Sequence, residues 1–165
     1  MKYCKGRLGR VFVIRLEDGD VLPECLERFA EKQGISVGHV IIVGGIKEGK
    51  IVVGPRNSEE MPPQPILFPI DEVHEISGVG VIAPDKDGNP SLHMHAALGR
   101  AGKTVSGCLR HGVTTWLVGE VIVYEILGAN VARIKDDISN FDLLQPGIIP
   151  YKRIDTYDSI PNDLF

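Results

Sequence analysis

Ser91-Leu92-His93-Met94-His95-Ala96-Ala97-Leu98-Gly99-Arg100-Ala101-Gly102-Lys103-Thr104-Val105-Ser106-Gly107-Cys108-Leu109-Arg110 is the stretch on which the fold turns. Its first half alternates. In a strand, side chains two apart share a face, so Leu92, Met94, Ala96 and Leu98 form an apolar face and His93 and His95 point the other way. Ala101-Gly102 supplies a tight turn, or Arg100–Lys103 a four-residue loop; both give one antiparallel register, with Leu98 opposite Val105. That register sets Cys108 across from His95 and Arg110 across from His93, and cross-strand partners share a face about 5 Å apart. A slip of one residue would send Cys108 to the far side.

Two imidazoles and a thiol converging in this way suit a divalent metal. Zinc is the first expectation, with a fourth position open to water or a substrate. Iron, nickel and copper accept the same donors. A free cysteine beside two solvated histidines would give the same sequence.

Outward from this hairpin, other segments fall into place. Arg10–Leu16 is β-branched and aromatic, as in a strand. Asp20 is positioned as a helix N-cap, Leu22, Leu26, Phe29 and Ala30 recur at helical spacing, and Gly34 ends the helix. Val37–Val43 and Lys50–Val53 suggest two strands split by Gly44, Gly45 and Gly49. The prolines between Pro55 and Pro69 point to a loop or an edge strand. Strands are expected over Val73–Ala83, Ser91–Leu98, Thr104–Arg110 and Thr114–Leu127, with a short helix within Arg133–Leu144. One helix among many closely connected strands argues for an α+β domain, mainly antiparallel sheet flanked by a few helices. A domain over residues 1–146 and an extended tail over 147–165 are expected.

Several residues carry a second meaning. Gly44-Gly45-Ile46-Lys47-Glu48-Gly49-Lys50 nearly spells a phosphate-binding loop. Ile51 stands where Ser or Thr is needed, and the run Ile51–Pro55 is strand-like rather than helical. His39 lies in an apolar strand and is either a satisfied core histidine or a further ligand. His111 has the wrong parity for the cluster, and His74 is expected at the surface. Glu120, inside Trp116–Tyr124, must be paired, exposed or shifted in pKa. It is either paired with a residue such as Arg110 or a general base near the metal, and Glu120 and Arg110 are both candidate supporting residues around the cluster.

The 165 residues are 43% hydrophobic and 24% charged, with a formal net charge of -4, which excludes a disordered chain and any basic nucleic-acid stripe. No apolar stretch of signal-peptide length follows the residues Met1–Arg7, and no window approaches membrane-spanning length. Cys4, Cys25 and Cys108 are too few and too scattered for a disulfide framework, which fits a reducing cytoplasm.

Taken in order, Gly9–Leu16, the helix to Gly34, Gly44-Gly45-Ile46, Leu92–Gly99, Val105–Leu109, Gly112 and Gly119–Ile122 resemble the plant-and-prokaryote-conserved (PPC) domain family. The likeness spans residues 7 to 146 and is specific through the order and spacing of short motifs. The family usually has Gly-Gly-His-Leu where this chain has Ser106-Gly107-Cys108-Leu109, so Cys108 stands at a histidine position. The resemblance implies an antiparallel sheet assembled as a homotrimer. It also implies a regulatory or DNA-associated role of the kind given to stand-alone prokaryotic members; a small zinc-dependent enzyme is the alternative. Plant relatives bind DNA through appended AT-hooks, and this chain carries no Arg-Gly-Arg-Pro hook. With an acidic balance, DNA binding by the purified chain is predicted to be weak and steeply salt-dependent. Nanomolar, sequence-selective binding at physiological salt in a fluorescence-anisotropy titration would contradict this.

Overall fold

The structure is a computed structural model and describes residues 1–148. Of the expected tail, all but residues 147 and 148 lies outside that range. The elements run β1 (Arg7–Glu17), β2 (Val21–Leu22), α1 (Glu24–Gln33), β3 (Gly38–Pro55), β4 (Pro65–Ile70), β5 (His74–Pro84), β6 (Pro90–Arg100), β7 (Lys103–Leu109), β8 (Val113–Leu127), β9 (Val131–Lys135) and β10 (Asp142–Pro146). Eight strands form one antiparallel sheet in the order β1-β8-β3-β5-β6-β7, with β2 on β8 and β4 on β3. The mainly antiparallel α+β architecture expected from the sequence is the one observed.

β3 organises the sheet. Its first half is flanked by β8 and β5, and its second half pairs with β4. The sheet curls until β7 returns to that second half, pairing Ile51 with Leu109 and Val52 with Cys108. The expected break at Gly44, Gly45 and Gly49 is therefore a correction: β3 is a single strand of 18 residues. Gly44 and Gly49 take positive φ, and the ladder to β8 shifts register beside them. The glycines act as bulges that bend a strand, not as its end. No helix comes after them, so the phosphate-loop likeness has no structural counterpart.

Two further expectations fail. The helix begins at Glu24 after a short strand, with Pro23 at its N-cap. Asp20 instead accepts the Glu17 amide at 2.8 Å and closes the preceding turn. The stretch expected to hold a helix is the β9–β10 hairpin. Its turn is held by Asp136, whose carboxylate accepts both the amide and the hydroxyl of Ser139.

The two faces of the sheet differ. Val40, Ile42, Ile76, Ile82, Met94, Leu98, Val121 and Val123 are buried on one face together with Leu26 and Ala30 of α1. On the other, one cross-strand row runs Val13, Ile122, Ile41, Val79, His95, Cys108. Val13 and Val79 in that row are 82% and 54% exposed, so an apolar row on this face is uncovered within the chain.

Arg10 fastens the helix to the sheet. Its Nε and Nη2 donate to the two carboxylate oxygens of Glu125 at 2.7 Å, and Nη2 also donates to the carbonyl of Gln33 at the end of α1. Glu125 is buried. Burial pushes its carboxyl upward, but the hydrogen bonds and charge of Arg10 outweigh this and hold it below its ordinary value. A lowered folded-state pKa adds stability that is fully present above the unfolded value of about 4.3 and is lost as pH falls through the folded value. Arg10→Ala, which strands a buried carboxylate, is predicted to cost about 3 kcal/mol at neutral pH in chemical denaturation. The loss should shrink toward acid pH, as Glu125 becomes neutral in both proteins.

Candidate metal centre

β6 and β7 carry the candidate ligands. The hairpin has Leu98 opposite Val105 and His95 opposite Cys108, closed by the pair Arg100 and Lys103. Ala101 and Gly102 form the turn, both with positive φ. The imidazole rings of His93 and His95 meet edge to face with centroids 5.0 Å apart. One nitrogen from each and the Cys108 Sγ lie within 4.8 Å of one another. Both histidines are partly exposed and Cys108 is buried, its Sγ placed 3.6 Å from the Leu109 carbonyl oxygen.

β7 holds the thiol through two strands at once, because Cys108 faces His95 on one side and Val52 on the other. Gly107 makes this possible. A Cβ there would overlap the Val52 carbonyl oxygen, so a side chain would push β7 off β3 and carry Cys108 with it.

The ladder to β6 ends at Cys108, and this corrects the placement of Arg110 opposite His93. β7 stops at Leu109, and the Arg110 amide donates to the carbonyl of Lys50 in β3. Arg110 still acts on the cluster through its charge, as does Arg133 of β9. Burial, followed by Arg133, His95 and Arg110, pushes the His93 imidazole below its usual pKa. Burial pushes the Cys108 thiol up, opposed by both arginines. His93 is thus biased to the neutral form that can coordinate, while Cys108 is biased to the thiol.

The other histidines and Glu120 lie apart from the cluster. His39 shares its face but is two strands from His93, with Val81 of β5 between them, roughly 10 Å away. Its ring stacks on Tyr124 at 6.3 Å. Glu120 is opposite Val43 on β3 and Arg15 on β1, three strands from β6 and exposed. It lies on the face of His95, but the strand order takes it out of reach within the chain. His74 is buried rather than exposed, its Nδ1 2.7 Å from the Glu72 carbonyl. His111 is exposed and pairs with Glu24 at 2.9 Å.

The cluster opens onto a cavity of about 1180 Å³, lined also by Glu27, Arg110, His111 and Arg133. Nothing in the sequence singles out Glu27 or Arg133. Glu27 sits on an amphipathic helix and Arg133 in a stretch without clear strand periodicity.

The model of the Plants and Prokaryotes Conserved (PCC) domain, a family also written PPC, matches residues 3–127. A metal-containing protein of Archaeoglobus fulgidus is 27% identical and superposes with a TM-score of 0.75, over 87% of this chain and 98% of that one. A PPC protein of Pyrococcus horikoshii is 24% identical, with a TM-score of 0.76 over 88% and 97%. Among curated proteins, the bifunctional protein GlmU of a Synechococcus strain is 27% identical over 135 residues. The match takes in 80% of this chain but spans only 20% of that protein's length.

Proposed function

The chain belongs to the Plants and Prokaryotes Conserved domain family, and we propose that it is a metal-binding member in which His93, His95 and Cys108 hold one divalent ion. The convergence of three donor side chains on one wall of an open cavity carries this reading. The metal-containing relative, alike over nearly its whole length, supports it. Zinc suits the donor set: a tetrahedral zinc needs ligand atoms roughly 3.3–3.7 Å apart, within reach of small side-chain rotations from the present spacing. Bound there, the ion would serve as a Lewis acid or a structural clamp. The protein's part is to keep His93 neutral, to anchor the thiol between β6 and β3, and to leave the cavity side open.

The domain works in this reading as a homotrimer with a regulatory or DNA-associated role in the cytoplasm, engaging DNA weakly or indirectly. No helix among the described residues is long and apolar enough to cross a membrane. The uncovered valines favour assembly, since an exposed apolar row of this kind gains from a second layer. One observation favours a second reading, a small zinc-dependent enzyme. The cluster lines an open cavity instead of being sealed, as a catalytic ion requires.

Metal content by mass spectrometry tests the site. Cys108→Ser and His95→Ala are predicted to lose most of the metal and Cys108→His to retain much of it; substitutions at Cys4 or Cys25 should leave it unchanged. Because the Cys108 thiol must release its proton to coordinate, affinity should fall as pH falls. Stoichiometric metal in both Cys108→Ser and His95→Ala would overturn the assignment.

Light scattering tests the assembly. The wild-type chain is predicted to run at about three times its 18.0 kDa mass, and Val79→Lys, which places a charge on the exposed apolar row, should lower that value. A stable monomer at micromolar concentration would refute the trimer.

A further inference from the structure

The cavity beside the ligand cluster also holds a buried cation without a matching anion. Arg133 is 7% exposed. Its Nη2 donates to the Val81 carbonyl at 2.8 Å and its Nε to the Ser91 carbonyl at 3.4 Å, both neutral acceptors. Among the described residues, no carboxylate oxygen comes within 4.0 Å of its guanidinium. Asp142 and Glu27 act on it only from farther away. The Oε1 of Glu27 is already engaged, accepting the Leu92 amide at 2.8 Å.

Arg110 lines the same cavity, and its charge reaches His93 and Cys108 just as that of Arg133 does. Two guanidiniums therefore flank one cluster. With a divalent ion, one thiolate and two neutral imidazoles, the centre itself would carry a single positive charge. The arginines add two more, against two carboxylates that form no ion pair with Arg133. A buried guanidinium in such surroundings is costly unless an anion meets it, and its planar fork matches carboxylate and phosphate oxygens. Val52, Val53 and Phe141 also line the cavity and offer apolar wall. The volume of about 1180 Å³ admits a small organic molecule.

We propose that this cavity binds a small organic anion, whose carboxylate or phosphate group is gripped by Arg133 and Arg110 and reaches the open side of the His93, His95 and Cys108 cluster. Contact with a metal at that cluster rests on the proposed metal-binding function; the grip of the two arginines does not. Carboxylate and phosphate present the same acceptor geometry to a guanidinium, and the experiment separates them.

Isothermal titration of inorganic phosphate and, separately, malonate into the zinc-supplemented chain is the test, with metal content measured on every sample. At least one anion should bind the wild-type protein, and which one binds identifies the headgroup. Arg110→Ala should weaken that binding about tenfold or more, with metal content unchanged. Arg133→Gln should do at least as much. Arg110 is exposed, so its substitution keeps the test open should replacement of the buried Arg133 unfold the chain, which circular dichroism would reveal. Failure of both anions to bind, or undiminished binding in Arg110→Ala and in folded Arg133→Gln, would overturn the proposal. Arginine-dependent binding to a chain that takes up no metal would defeat the metal reading and leave the anion site standing. Stoichiometric metal with no anion bound would do the reverse.

Discussion

The return of β7 to the far half of β3 is the constraint on which the candidate site depends. An open antiparallel sheet would leave β7 as an edge strand, and Cys108 would be placed by one neighbour only. Here Val52 and His95 hold it from both sides. The closure needs backbone at close quarters, and Gly107 supplies it, since any Cβ would strike the Val52 carbonyl. It also needs β3 to run long and bend, serving β8 and β5 with one half and β4 and β7 with the other. The positive-φ glycines at 44 and 49 allow that bend without a break in the strand.

The same closure divides the molecule chemically. Leu92, Met94 and Leu98 go into the core against the helix side, and strand alternation then forces His93 and His95 outward. The cross-strand row that ends at His95 and Cys108 is otherwise apolar, with Ile41, Val79 and Ile122. Polar groups capable of coordination thus stand at the border of a hydrophobic surface, where partial burial favours neutral imidazole over imidazolium.

How much of this arrangement is legible in the chain depends on how local each feature is. Parity and turn geometry are local, so the faces of His93 and His95 and the pairing of His95 with Cys108 can be read from one hairpin. Strand order is not local. Glu120 and His39 have the right parity but sit three and two strands away, which no pattern of alternation encodes. Glycine is ambiguous by nature: the residues that bend β3 look like its ends, because freedom of φ serves a bulge and a turn equally. The β9–β10 hairpin escapes pattern reading because Val131, Ala132 and Arg133 are buried in succession, which erases the alternation of a half-exposed strand. Arg133 is hidden with it.

That hidden residue changes how the donors behave. Burial biases Cys108 to the thiol, and the charge that the sequence places near it is that of Arg110 alone. Arg133 arrives from β9, and Arg110 stays near by pairing its amide with Lys50 after the ladder to β6 has ended. Both oppose the effect of burial on the thiol, and both discourage a proton on His93. The arginines thus favour a neutral imidazole at His93 and lower the cost of deprotonating Cys108, which burial still biases to the thiol, so that a metal meets less resistance in displacing its proton. The arginines therefore act at this site twice, by biasing the donors already present and by leaving positive charge for whatever anion enters the cavity.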